Sequence, residues 1–98
     1  MKKVLIILAI LFLNFAYSQE DLVEKGIKAY ESGDYINAMK YYKKACDLNS
    51  GNGCFNLGAI YALGKGVRKD TSKALEYFGK ACDLKDDLGC QAYARLKQ

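Results

Sequence analysis

Four cysteines are the residues of this chain most able to do chemistry, and their spacing limits what that chemistry is. Cys46, Cys54, Cys82 and Cys90 form the pattern C-x7-C-x27-C-x7-C. Structural zinc prefers two to four residues between paired thiolate ligands, so seven intervening residues suit a four-cysteine site poorly. The chain has no histidine, which removes His-based triads and the usual histidine metal sites together. A serine acyl-transfer enzyme needs an activated hydroxyl, most simply Ser-x-x-Lys on successive turns of a helix. The serines are Ser18, Ser32, Ser50 and Ser72, and none has Lys three residues later. Ser72 precedes Lys73 directly, and neighbours on a helix diverge by about 100°. Glu20, Glu24, Glu31 and Glu76 read as members of charged helix faces. Gly58 and Gly64-Lys65 are not a phosphate-binding loop, because five residues separate the glycines and Gly66 stands where Ser or Thr is needed. No catalytic motif, cofactor motif or metal-ligand set is visible, so catalytic residues stay unassigned.

Disulfides are the role left for the cysteines, and the N-terminus supplies a compartment for them. Lys2 and Lys3 precede an unbroken apolar run, Val4 to Leu13, and Ala16 and Ser18 stand at the −3 and −1 positions before Gln19. This is the pattern of a secretory signal peptide over residues 1–18. Ten apolar residues span about half a bilayer as a helix, so no membrane association is expected after cleavage. The expected mature chain is residues 19–98, secreted or periplasmic. Of the 15 Lys and Arg in the whole chain, removal of Lys2 and Lys3 leaves 13 against 11 acidic residues, a net charge of +2. These charges are interspersed, which points away from nucleic acid as a partner. Lys40, Lys43 and Lys44 read as a solvated helix face, with an anionic cell-wall polymer as the alternative. An even cysteine count in a small exported domain reads as disulfides.

The elements that position the cysteines are revealed by self-comparison. Ala38 to Cys54 reappears 36 residues later as Ala74 to Cys90, with nine of 17 positions identical. This is a repeat protein. Tyr35, Ala38, Met39, Tyr42, Ala45 and Cys46 fall on one stripe of an α-helix, and Ala74, Leu75, Phe78, Ala81 and Cys82 repeat it. Cys54, Leu57, Gly58 and Tyr61 make a third apolar face, and Leu22, Val23, Ile27 and Tyr30 a fourth. Gly33-Asp34 ends one helix and caps the next. Asn49 to Gly53 reads as a turn, Gly64-Lys65-Gly66 ends the third helix, and Asp70, Thr71 or Ser72 caps the fourth. A short fifth helix is expected over roughly 88–96. Such helices form antiparallel αα-hairpins that stack side by side, and two hairpins plus a terminal fragment are close to the minimum for such an array. The fold class is therefore all-α, a short α-solenoid. Tyr41 and its copy Tyr77 lie beside the main stripe, placed to pack against the next repeat.

Geometry chooses among the three possible cysteine pairings. Cys46 ends one helix and Cys54 begins the next, with a chain reversal between them, and Cys82 and Cys90 occupy the same places one repeat later. Pairing across repeats would separate the cysteines far beyond the ~7 Å Cα limit. Local pairs, Cys46–Cys54 and Cys82–Cys90, are expected. Each nine-residue loop is worth roughly 2.5 kcal/mol in the chain-entropy model, so the pairs act as structural staples.

These residues resemble a known family. Gly66-Val67, Asp70, Lys73-Ala74, Tyr77-Phe78, Lys80 to Leu84 and Gly89-Cys90 resemble a Sel1-like repeat of the cysteine-rich type, with Leu57-Gly58, Tyr61 and Gly64 as its first helix. Gly26, Gly33-Asp34-Tyr35, Ala38, Tyr42, Ala45 and Leu48 look more like a tetratricopeptide repeat. The resemblance divides the mature chain into a TPR-like unit (20–53), a Sel1-like unit (54–89) and a partial terminal helix (90–98). It is similar to the Helicobacter cysteine-rich proteins, solenoids with a Cys pair eight residues apart in each repeat. The resemblance implies penicillin binding and weak β-lactamase activity. The residues themselves point to a binding module whose helices 22–32 and 54–63 line a shallow concave face. Its expected ligands are a peptide, a protein or a cell-wall fragment, with a β-lactam as the alternative that the resemblance adds.

Overall fold

The computed structural model describes residues 18–98, so the signal-peptide reading of residues 1–18 lies, all but Ser18, outside the described residues. Five helices follow one another: residues 18–31 (α1), Tyr35–Asp47 (α2), Gly51–Leu63 (α3), Thr71–Asp83 (α4) and Asp87–Lys97 (α5). Among the described residues there is no strand.

One local device ends α1, α2, α3 and α4. Gly33, Asn49, Gly64 and Lys85 take left-handed φ values between 66° and 83°. At α2, Asn49 N–H donates to the Cys46 carbonyl (2.9 Å) and Ser50 N–H to the Ala45 carbonyl (3.0 Å). Lys85 and Asp86 repeat both bonds onto Cys82 and Ala81 at the end of α4. This is the Schellman arrangement, which satisfies carbonyls left over at a helix end. The next residue then caps the following helix. Asp34, Ser50 and Asp86 side chains accept the N–H of Asn37, Gly53 and Gly89, and Asp70 accepts that of Lys73 at 3.0 Å. Each such cap stabilises its helix by about 1 kcal/mol.

Ser50 corrects one expectation. Asn49 to Gly53 is not all turn, because α3 starts at Gly51 with Ser50 as its cap, not at Cys54. The left-handed residue and the cap compress the reversal into Leu48, Asn49 and Ser50. Likewise, α5 starts at Asp87 because Asp86 caps it.

Successive helices pack as neighbours, α2 on α3, α3 on α4 and α4 on α5, with a minor contact between α3 and α5. The core is drawn from Val23, Ala38, Tyr42, Ala45, Cys46, Cys54, Leu57, Ile60 and Ala81. Leu57 and Ile60 are 1 % exposed, and burying each contributes about 1.5–3 kcal/mol. Close approach depends on small residues. A Cβ on Gly26 would lie 2.5 Å from the Tyr42 ring, and one on Gly58 would lie 2.7 Å from the Phe78 ring. Tyr42 and Phe78 are 36 residues apart, while Gly26 and Gly58 are 32 apart. The difference of four is the extra length of the α3–α4 connection over the α1–α2 connection. The same seat is therefore built twice, a glycine of the first helix receiving an aromatic of the second.

Cys46 and Cys54 are bonded with Cα atoms 4.5 Å apart, and Cys82 and Cys90 with Cα atoms 4.4 Å apart. Each bridge clips a Schellman turn across its two helices, α2 to α3 and α4 to α5.

Candidate functional site

A groove runs between α1 and α3, the first helices of the two hairpins. Its deeper half encloses about 410 Å³ and is lined by Ile27, Tyr30 and Glu31 of α1, Tyr42 of α2, and Asn56, Ala59, Ile60 and Leu63 of α3. A second hollow of about 390 Å³ continues along α1 past Gln19, Glu20, Val23, Glu24 and Ile27 to Ser50 and Asn52. Ile27 belongs to both. The periodicity of α1 placed Ile27 on a buried face, yet it is 41 % exposed, and Leu63 is 62 % exposed. The reason is that α1 has its neighbour α2 on one side and looks across the groove on the other, so its apolar face is wider than its buried face. α3 is apolar on nearly all sides, and Leu63 is its last residue.

Polar groups along the groove come from two walls. The α1 wall carries Glu20, Glu24 and Glu31; Glu24 is paired with Lys28 at 3.4 Å on an exposed surface. The α3 wall carries Asn52 and Asn56, one helical turn apart, with Asn56 Nδ2 donating to Asn52 Oδ1 at 2.8 Å. No Lys or Arg lines either hollow. Burial raises the Tyr42 phenol above its ordinary value, and the nearby Tyr30 and Glu31 add to the effect, so Tyr42 presents a neutral hydroxyl at the groove floor. Gln19 donates its side-chain amide to the Leu48 carbonyl, tying the start of α1 to the end of α2.

The residues with chemical potential are spread apart rather than gathered. Ser32 Oγ donates to the Ala29 carbonyl at 2.9 Å, and Ser72 lies exposed in the first turn of α4. Ser50 lies in a Gly-containing turn but is 8 % exposed and spends its oxygen on the Gly53 N–H. Lys73, next to Ser72 in the chain, has its ammonium over the Tyr61 ring. All four cysteines are paired; the Cys46–Cys54 pair is buried, whereas Cys82 and Cys90 are half-buried. Among the described residues no group of three or more Cys, Asp or Glu could hold a metal ion, and no helix is long and apolar enough to cross a membrane. Lys40, Lys43 and Lys44 are exposed, with Lys43 beside Asp47 at 3.6 Å. Tyr77 packs against the first helix of its own hairpin. Its ring stacks on Tyr61 of α3 at 5.8 Å, and Lys73 covers Tyr61 from 5.2 Å.

The groove side chains Ile27, Leu63, Asn52 and Asn56 carry no signal in the repeat pattern. Only the choice of α1 and α3 as the facing helices was readable, from their place as the first helix of each hairpin.

Comparison with known proteins agrees with this architecture. HcpC of Helicobacter pylori strain J99, which bears a provisional β-lactamase name, is 48 % identical over 54 residues, 55 % of this chain and 19 % of its own. The protein named β-lactamase HcpA from the same strain is 44 % identical over 54 residues, again 55 % of this chain and 22 % of its own. HcpD, also provisionally named, is 37 % identical over 76 residues, 74 % of this chain and 25 % of its own. The chain thus spans about a fifth to a quarter of the length of these relatives. The Sel1 repeat model matches residues 16–50 and 51–86, dividing the chain between the cap Ser50 and the first residue of α3. With two consecutive matches over most of its length, paired helices and a staple at each repeat junction, this protein belongs to the Sel1 repeat family.

Proposed function

We propose that the chain is an exported interaction module that binds an extended peptide or cell-wall fragment in the groove between α1 and α3. The observation that carries this reading is the groove itself, an apolar floor framed by a carboxylate wall and a carboxamide wall. α1 is about 20 Å long at 1.5 Å per residue. An extended chain rises about 3.3 Å per residue, so roughly six residues of a ligand fit along it. The mature unit begins at Gln19, is secreted or periplasmic, and holds the Cys46–Cys54 and Cys82–Cys90 pairs formed after export. Within it, a TPR-like unit (20–53) and a Sel1-like unit (54–89) together frame the groove. Backbone amide shifts of the labelled protein on addition of extended hexapeptides test the binding reading, with changes expected in residues 20–31 and 52–63. Shifts confined to the α4–α5 end would place the site elsewhere.

The names of the relatives favour a second reading, β-lactam binding with slow hydrolysis. An acyl transfer needs a nucleophile, a base within hydrogen-bond reach and donors for the oxyanion, and Ser32, Ser50 and Ser72 are engaged or isolated. β-Lactams are also carboxylate anions, and the groove wall is acidic. Conversion of a chromogenic β-lactam by protein freed of contaminating enzymes separates the two readings.

A further inference from the structure

The groove is charged oppositely to the rest of the molecule. From residue 19 onward the chain has 13 basic and 11 acidic residues, a net charge of +2, yet three carboxylates and no basic side chain line the two hollows. Among the described residues, Glu20 and Glu31 stand in no ion pair, and they mark the two ends of the α1 wall. Across from them, Asn52 and Asn56 form a carboxamide pair whose remaining N–H and C=O groups match the alternating donors and acceptors of an extended main chain. Between the walls, Ile27 and Leu63 are exposed far beyond what a core position allows.

From this juxtaposition we propose that the groove selects an extended peptide segment in which a basic side chain lies next to a medium-sized apolar one. Resting on the peptide-binding reading above, the assignment adds the class of ligand. Glu20 and Glu31, about 16 Å apart along α1 at 1.5 Å per residue, each receive one cation at opposite ends of the segment. The asparagine pair holds the main chain, and the hollow beside Ile27 and Leu63 takes the apolar group between them. Acidic segments are rejected by like-charge contact, and polar segments leave the hollow unfilled.

The probes are three acetylated and amidated hexapeptides with a central Leu flanked by Lys, by Ser or by Glu, titrated into the disulfide-bonded protein at low and at physiological salt. Exposed ion pairs contribute roughly 0.2–1 kcal/mol each, and the acidic probe adds repulsion. The Lys–Leu probe is therefore expected to bind about tenfold more tightly than the Glu–Leu probe, with the difference shrinking as salt rises. The double variant E20Q/E31Q should bring the Lys–Leu and Glu–Leu probes to within about twofold of one another and remove the salt dependence of their difference. Leu63→Ser should weaken all three. If every probe shifts residues 20–31 and 52–63 with equal affinity, the charge selection is wrong while the groove remains a peptide site. If no probe shifts those residues, the peptide reading itself fails and takes this inference with it.

Discussion

Gly53 holds a close backbone approach inside the disulfide frame, and replacing it by Ala tests whether the α2–α3 junction is built as described. A Cβ at Gly53 would lie 2.7 Å from the Ala45 Cβ and 3.0 Å from the Cys46 backbone nitrogen. Apolar carbons are at their optimum near 3.5–4.0 Å, so the two helices would have to part by about 1 Å. They are not free to do so, since Cys46 and Cys54 bind the same two segments with Cα atoms 4.5 Å apart. Against this stands the helix propensity of Ala, about 1 kcal/mol better than Gly in a helix interior. Gly53 is only the third residue of α3, with its N–H already capped by Ser50, so little of that gain is available. Overpacking costs about 1–3 kcal/mol, and G53A should lose about 2 kcal/mol overall. For a domain of this size that lowers Tm by roughly 8–16 °C. Gly79 provides the contrast: it lies in the middle of α4, and its Cβ would meet only the half-buried Tyr93 ring edge at 3.3 Å. That half-buried ring can yield, so G79A should be neutral or stabilising by up to about 1 kcal/mol. Thermal unfolding by far-UV circular dichroism on the oxidised proteins reads both. A G53A protein as stable as the parent, with both disulfides intact, would refute the packing argument.

Three further outcomes follow from the structure. Peptide mapping without reduction should join Cys46 to Cys54 and Cys82 to Cys90, with Gln19 as the N-terminus of exported protein, and Cys46→Ser should cost about 2–3 kcal/mol; a Cys46–Cys82 link would break the repeat geometry. Ser50→Ala should cost about 1 kcal/mol by uncapping α3, while any β-lactam turnover should persist in Ser32→Ala, Ser50→Ala and Ser72→Ala alike; a hundredfold loss of kcat in one of them, about 2.7 kcal/mol, with the fold intact, would reveal an active site. Tyr42 is held above its ordinary pKa by burial, then by Tyr30 and Glu31, so its contribution is fully present below about pH 10 and is lost as pH rises through the folded value; urea midpoints between pH 8 and 11 should fall less in Tyr42→Phe than in the parent.

Which features could be read from sequence depended on how local their causes are. Asp34 was recognisable as a cap, and Asp70 as one of three candidates with Thr71 and Ser72, because a cap needs only its own side chain and an N–H three residues ahead. The helical stripes were readable for the same reason, and so was the chain reversal that sets Cys46 opposite Cys54. Gly51 to Gly53 misled because two glycines and an asparagine carry poor helix propensity. Their helical state is imposed by a tertiary fit, Gly53 against Ala45, that propensity does not contain. Tyr77 on Tyr61 is another such case: the stack joins residues 16 apart across the long α3–α4 connection, where no periodicity links them. Ile27 shows the limit most clearly. An apolar residue on an apolar stripe is read as core, because the pattern records that a face is apolar and not whether another element covers it. In a solenoid the first helices of successive hairpins leave part of that face to a partner, so the positions that fail the burial expectation, Ile27 and Leu63, are those that mark the groove.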